Sequence, residues 1–179
     1  MKSAAFERKN IRLSAAYYHG NRLYFLTLCF ADRRRYGADA RIASWIINRL
    51  RHHAEECAFS IHAYCVMPDH VHVLAGGTSD DSYLVKFVEA FKQKTSIAFA
   101  RRTHQPLWQF KYYDHILRSS DSADSVAFYI WFNPVRQGLC GAPSEYRFLG
   151  SFTEIGADML RNISVPDWLP PWRKPKMPR

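Results

Sequence analysis

The sequence predicts an α+β fold: a ferredoxin-like antiparallel sheet with helices packed on one face. Three observations predict it. Strand-forming segments and segments of helical period follow one another in the order strand, helix, hairpin, helix, strand, helix. Two of the strands are separated only by Pro68-Asp69, a turn that suits a hairpin. Hydrophobic residues make up 47% of the 179 residues, enough for one domain with a buried core and too short a chain for two ordinary domains and a linker.

The first strand is expected over Asn21 to Ala31 (NRLYFLTLCFA), apolar enough for burial on both faces, before the polar turn Asp32 to Arg35. From Asp39 to Cys57, the residues Ile42, Ile46, Leu50, Ala54 and Cys57 recur at spacings of three and four, which makes an amphipathic helix. Phe59, Ile61, Ala63, Cys65 and Met67 alternate with Ser60, His62 and Tyr64, giving a second strand that stops before Pro68. His70 to Ala75 forms a third, closed by Gly76-Gly77, so the hairpin tip falls near His70. Asp80 and Asp81 read as caps of a second helix, Ser82 to Arg102, which presents Leu84, Val85, Val88, Phe91, Thr95, Ala98 and Phe99 on one face. A fourth strand follows over Phe110 to Leu117, and Ser119-Ser120-Asp121 caps a third helix that Pro134 ends after Asn133. There is no internal repeat. The pattern fades beyond about Gly150, which divides the chain into a domain of residues 1–152 and a basic, proline-rich tail of residues 153–179 ending in WLPPWRKPKMPR. The tail suits either a DNA-touching extension or a solvated terminus.

Twenty-five Lys and Arg against sixteen Asp and Glu leave a formal charge of +9, a field that attracts polyanions such as nucleic acid. Charge alone does not decide, since many basic proteins bind no nucleic acid. The four cysteines, Cys29, Cys57, Cys65 and Cys140, contain no Cys-x-x-Cys pair and read as reduced core residues. No apolar run has membrane-spanning length and Met1 to Asn10 lacks a signal core, so a cytoplasmic location without membrane partners is expected.

The chemistry centres on His70-Val71-His72. In a strand, residues two apart point to one face, so both imidazoles lie side by side and can share a metal ion if a third ligand arrives. The plain alternative is two hydrogen-bonded histidines without a metal. Tyr129 and Asn133 stand four apart on the third helix and so share a face, where Asn133 can offer an amide oxygen and Tyr129 a phenol one turn away. The alternative here is a core aromatic and a helix stop before Pro134.

Several stretches together resemble the single-tyrosine, His-hydrophobe-His transposases, and in particular their REP-associated branch. They are NIRL with the later YFLTLCF, VMPDHVHVLAGG, FKQKTS, LWQFKYYDHIL and YIWFNPVRQGL, spread over Asn10 to Phe152. PDHVH and YI-x-x-NPVR-x-GL in order are far more specific than either alone. The resemblance implies that His70 and His72 are metal ligands, Asn133 the third ligand and Tyr129 the nucleophile. Asn-Pro at Asn133 matches the REP-associated branch, where the insertion-sequence branch has glutamine. Trp131 and Phe132 depart from the family pattern by making this helix more apolar.

The implied function is a metal-dependent transposase and endonuclease, using Mg²⁺ or Mn²⁺, that cleaves and rejoins single-stranded or hairpin DNA through a 5′-phosphotyrosine. REP-type palindromes are the expected partner, and a monomer or a homodimer is compatible with it. Lys92, Lys94, Arg101, Arg102, Lys111, Arg118 and Arg136 are candidates for phosphate contacts, with Tyr112 and Tyr113 for base stacking. The rival from another class is a non-catalytic binder of single-stranded or hairpin DNA, which needs no metal. A zinc hydrolase built on the two histidines lacks a Glu or Cys at a usual ligand spacing.

Overall fold

The first strand explains why the sheet has two cores. In the computed structural model, which describes residues 14–161 together with 163 and 169, β1 (Leu23–Cys29) sends Tyr24, Leu26 and Leu28 to one face and Phe25 to the other. It pairs antiparallel with β3 (His70–Gly77) on one side and β4 (Tyr113–Ile116) on the other. β2 (Phe59–Val66) pairs with β3, and a two-residue β5 (Leu149–Gly150) adds to its outer edge, giving the order β4-β1-β3-β2-β5. The first four strands are thus all antiparallel and in ferredoxin-like order.

The crossovers are α1 (Ala40–Glu56) and α2 (Leu84–Thr103), and both pack on one face. Ile46, Leu50 and Ala54 of α1 and Phe87, Val88 and Phe91 of α2 close over Leu26, Val71 and Val73. The α+β class, the antiparallel sheet and its long helices on one face are as the sequence predicts. The expectation of helices on that face alone leaves out α3 (Ala123–Trp131) and α5 (Glu154–Arg161), which cover the opposite face around Phe25, Cys65, Met67 and Leu74. Strands with apolar residues on both faces need cover on both. Helix α3, with Val126, Ala127, Tyr129, Ile130 and Trp131 all buried, supplies it.

Alternation along β2 is broken, contrary to the strict period the sequence suggests. His62 is an extra residue between Ile61, opposite Ala75, and Ala63, opposite Leu74. The bulge reverses the phase, so Ile61 joins the α1/α2 core while Ala63 joins the α3 core.

Helix ends differ from the expected caps. Asp39 caps α1 by accepting from the Arg41 amide. Asp80 and Asp81 do not cap α2. Its N-cap is Tyr83, without a side-chain bond, while the Ser82 hydroxyl accepts from the amides of Thr78 and Ser79 and donates to the Ala58 carbonyl. Ser122, not the preceding Ser119-Ser120-Asp121, caps α3. Pro134 does not end the helical path but opens a further turn, α4 (Asn133–Arg136), because proline's missing N–H is harmless at a helix start. The fourth strand is shorter than Phe110 to Leu117, and ahead of it the Lys92 ammonium binds the Gln109 and Phe110 carbonyls. All four cysteines are free, yet only Cys65 is fully buried, and the other three are partly exposed.

Helix α5 falls in the segment expected as tail, where Met159, Leu160 and Ile163 pack on the α3 core. Both the NIRL stretch and, apart from Leu169, the WLPPWRKPKMPR segment lie outside the described residues. No helix among the described residues is long and apolar enough to cross a membrane.

The side chains that depart from the family pattern face differently: Phe132 is half-buried, whereas Trp131 is fully buried and its indole N–H donates to the Gly150 carbonyl at 3.0 Å. Trp131→Ala is expected to cost about 3–5 kcal/mol in urea unfolding. Trp131→Phe, which keeps most of the volume but loses that hydrogen bond, should cost about 0.5–1.5 kcal/mol.

Candidate active site

His70 and His72 lie on the face of β3 that α3 covers, opposite Cys29 and Thr27 of β1. Their Nε2 atoms converge to 3.0 Å with the rings nearly perpendicular at 77°. Each Nδ1 is engaged from behind. Asp69 Oδ1 lies 2.6 Å from His70 Nδ1, and Thr27 Oγ1 lies 3.0 Å from His72 Nδ1. An ionised carboxylate only accepts, so His70 carries its proton on Nδ1 and, when neutral, turns a bare Nε2 towards His72. Asp69 is ionised because the hydrogen bond from His70, and after it the Arg33 guanidinium at 3.1 Å, hold its carboxyl down at about 2.

Tyr129 comes to this pair from α3, its ring centroid 6.2 Å from that of His72. Phe25 lies against both rings, at 5.2 Å from His72 and edge-on at 6.0 Å from Tyr129. The Arg136 guanidinium lies 3.9 Å from the Tyr129 ring centroid and donates to the Tyr129 carbonyl at 2.6 Å. Tyr129 is only 2% exposed.

Asn133 follows one helical turn on, buried, and its amide nitrogen has no hydrogen-bond partner among the described residues. Among those residues no three His, Cys, Asp or Glu side chains gather around one point. A metal here would therefore depend on the neutral set His70, His72 and Asn133. The convergent imidazoles and the orphaned amide, whose two ends exchange by a half-turn, fit such a set.

The structure thus brings together His70, His72 and Tyr129, with Asn133 next along the same helical path. The seven basic candidates do not form one patch. Lys94 pairs with Glu56 of α1 at 2.7 Å, Arg101 and Arg102 are exposed at the end of α2, and Arg136 faces Tyr129. Lys92, Lys111 and Arg118 line a groove of about 1260 Å³ with Arg22, Tyr17 and Tyr112. Tyr113 lines the same groove but also packs towards the α3 core, and burial pushes its phenol up to about 12.

Sequence reasoning missed Thr27, Asp69 and Arg33. Thr27 carried a signal, being the one polar residue inside LYFLTLC, and Asp69 adjoins His70 in the chain. Arg33 carried none, because only the fold brings it to Asp69.

A family model described as Transposase IS200 like matches residues 19–132. The REP-associated tyrosine transposase of Escherichia coli K12 is 24% identical over 157 residues, covering 85% of this chain and 87% of that protein. A Haemophilus influenzae protein, provisionally described in the same words, is 25% identical over 162 residues, 82% of this chain and 86% of its own. A solved structure of a REP-associated tyrosine transposase bound to a REP hairpin superposes with a TM-score of 0.66 at 20% identity, over 86% of this chain and 88% of that one. The last is a likeness of fold.

Arg136 is half-buried and tied to the Tyr129 carbonyl and ring. Arg136→Ala should therefore lower stability by about 1–3 kcal/mol in urea unfolding, while Arg101→Ala on the open surface should change it by less than about 0.5 kcal/mol.

Proposed function

The chain belongs to the IS200-like transposase family, and from that premise we propose that it cleaves and rejoins single-stranded or hairpin DNA through a covalent 5′-phosphotyrosine on Tyr129, with His70, His72 and Asn133 holding Mg²⁺ or Mn²⁺. The observation that carries this reading is the approach of Tyr129 to the histidine pair, 6.2 Å between ring centroids, with the two Nε2 atoms 3.0 Å apart. The names of the relatives support REP-type hairpins as the DNA.

In this reading the Tyr129 oxygen attacks a phosphorus in the DNA backbone and a 3′-hydroxyl leaves. The phosphoester is exchanged, not hydrolysed, so a free 3′-hydroxyl can later attack the phosphotyrosine and release Tyr129. A bound divalent cation supplies positive charge to a phosphate oxygen as negative charge builds there. Asp69 fixes the His70 tautomer and ring, the Thr27 hydroxyl holds the His72 ring in place through Nδ1, and Phe25 packs against both the His72 and Tyr129 rings. Arg136 supports the nucleophile's ring and carbonyl.

One observation favours the rival, binding without cleavage: Tyr129 is 2% exposed. End-labelled hairpin DNA with single-stranded flanks, incubated with Mn²⁺ and run on a denaturing gel, separates the two. A label-bearing adduct is expected with the natural protein and none with Tyr129→Phe, which should still bind the DNA; nicking by Tyr129→Phe would refute the nucleophile.

The ligand role has its own measurement. Asp69→Ala should leave the circular dichroism spectrum intact and weaken Mn²⁺ binding in calorimetry by about 10–100-fold, the usual cost of losing a carboxylate behind a histidine ligand. Equal affinity in the two proteins would exclude that arrangement.

A further inference from the structure

At the end of the sheet where β3 begins, two loops carry exposed side chains of which the chemistry above uses only Arg33. The loop after β1 presents Arg33, Arg34 and Arg35, all exposed. The loop before β4 presents Phe110, which at 95% exposure leaves almost its whole ring in water. They form one structure. The Ala31 amide donates to the Leu107 carbonyl at 2.9 Å, Arg34 Nη1 donates to Gln105 Oε1 at 2.8 Å, and Phe30 stacks on Trp108 at 4.9 Å. Both are anchored to the histidine end. The Phe30 amide donates to the Asp69 carbonyl at 3.0 Å, Arg33 pairs with the Asp69 carboxylate, and the Gln109 amide donates to the carbonyl of Cys29, the residue opposite His70.

A single exposed apolar side chain is ordinary on a protein surface. Phe110 differs in its support and its neighbours. The Lys92 ammonium donates to the carbonyls of both Gln109 and Phe110, at 2.8 and 2.7 Å, so the ring stands on a fixed backbone and not on a loose tip. The arginine loop to which this segment is tied holds two non-glycine residues, Asp32 and Arg33, at φ 50° and 56°. Such conformations cost free energy and persist where surrounding contacts impose them, often at binding sites. A rigid aromatic face on one loop, tied through hydrogen bonds to a second loop that carries exposed guanidinium groups, matches the chemistry of a length of unpaired nucleic acid, in which bases stack and phosphates carry charge.

We propose that this rim docks the single-stranded part of the DNA next to the tyrosine site, with one unpaired base stacked on Phe110 and phosphates against Arg34 and Arg35. The inference rests on the reading that DNA is the substrate, and goes beyond it by naming where the strand lies. Aromatic stacking there does not depend on base identity, so the rim grips an unpaired nucleotide of any kind and discriminates against a paired one.

The test uses the full chain and a fluorescein-labelled hairpin with single-stranded flanks carrying 2-aminopurine at successive flank positions. For Phe110→Ala the dissociation constant by anisotropy should rise about ten-fold, as for loss of one stacked base. The quenching of 2-aminopurine at one position should vanish, and Phe110→Trp should restore both. Arg34→Ala/Arg35→Ala should flatten the dependence of log affinity on log salt by roughly 0.7 for each phosphate that is no longer neutralised. If the natural protein binds the DNA and Phe110→Ala binds it as tightly with the same quenching, the stacking assignment is overturned while the transposase reading stands. An unchanged salt slope in the double variant overturns the arginine contacts. Absence of binding by the natural protein to any such DNA overturns both this inference and the reading beneath it.

Discussion

The register of β3 against β1 sets the position of everything at the candidate site. With Cys29 opposite His70 and Thr27 opposite His72, both imidazoles point to the α3 face, and Val71 and Val73 fill the core beneath α1 and α2. A slip of one residue would exchange those sets, turning two histidines into the main core and two valines to the site. The register is therefore defended by burial on both faces. Sheet pairing also places Thr27 beside His72, which no local feature of β3 could do.

A two-faced sheet also fixes the setting of Tyr129. Were the second face open to water, Tyr129 would sit on a loosely held surface helix. Instead α3 is buried along Val126, Ala127, Ile130 and Trp131, with the Trp131 indole tied to Gly150, so the helix that carries Tyr129 is as firmly seated as the strand that carries the histidines. The bulge at His62 serves this arrangement, because it moves Ala63, Cys65 and Met67 onto the face that α3 needs as its floor. Catalytic groups held on rigid elements keep their mutual geometry without relying on loops.

Much of this was legible in the sequence, and the rest was hidden for physical reasons. Periodicity found β1, α1, the hairpin and α2 within a few residues, since each buries a regular stripe. It missed the His62 bulge because an inserted residue leaves local composition unchanged while reversing the phase. It misplaced the caps, because Asp80, Asp81 and Asp121 are as able to cap as Ser122, and only tertiary contacts choose: Asp121 pairs with His115 at 3.0 Å instead. Pro134 read as a stop, yet a proline at the start of a new turn is equally consistent with its chemistry. At the site, the histidine pair and the spacing of Tyr129 from Asn133 were readable from strand and helix geometry. Asp69 and Thr27 were visible only as neighbours, and Arg33 not at all, because ion pairs between loops leave no periodic trace.

Charge shows most clearly how sequence totals mislead. A formal +9 suggests a broad basic surface, but the cations are divided among different tasks. Lys94 is matched by Glu56, Lys92 holds two backbone carbonyls, Arg33 fixes Asp69, and Arg136 lies against Tyr129. Each of these is already engaged by the fold or the site, so none adds its full weight to binding a polyanion. Even on the exposed loop after β1 the guanidinium groups differ, since Arg33 pairs with Asp69 and Arg34 donates to Gln105 and Tyr36. Net charge acts on a polyanion from a distance, but a sequence total cannot say which of the cations the fold has already engaged.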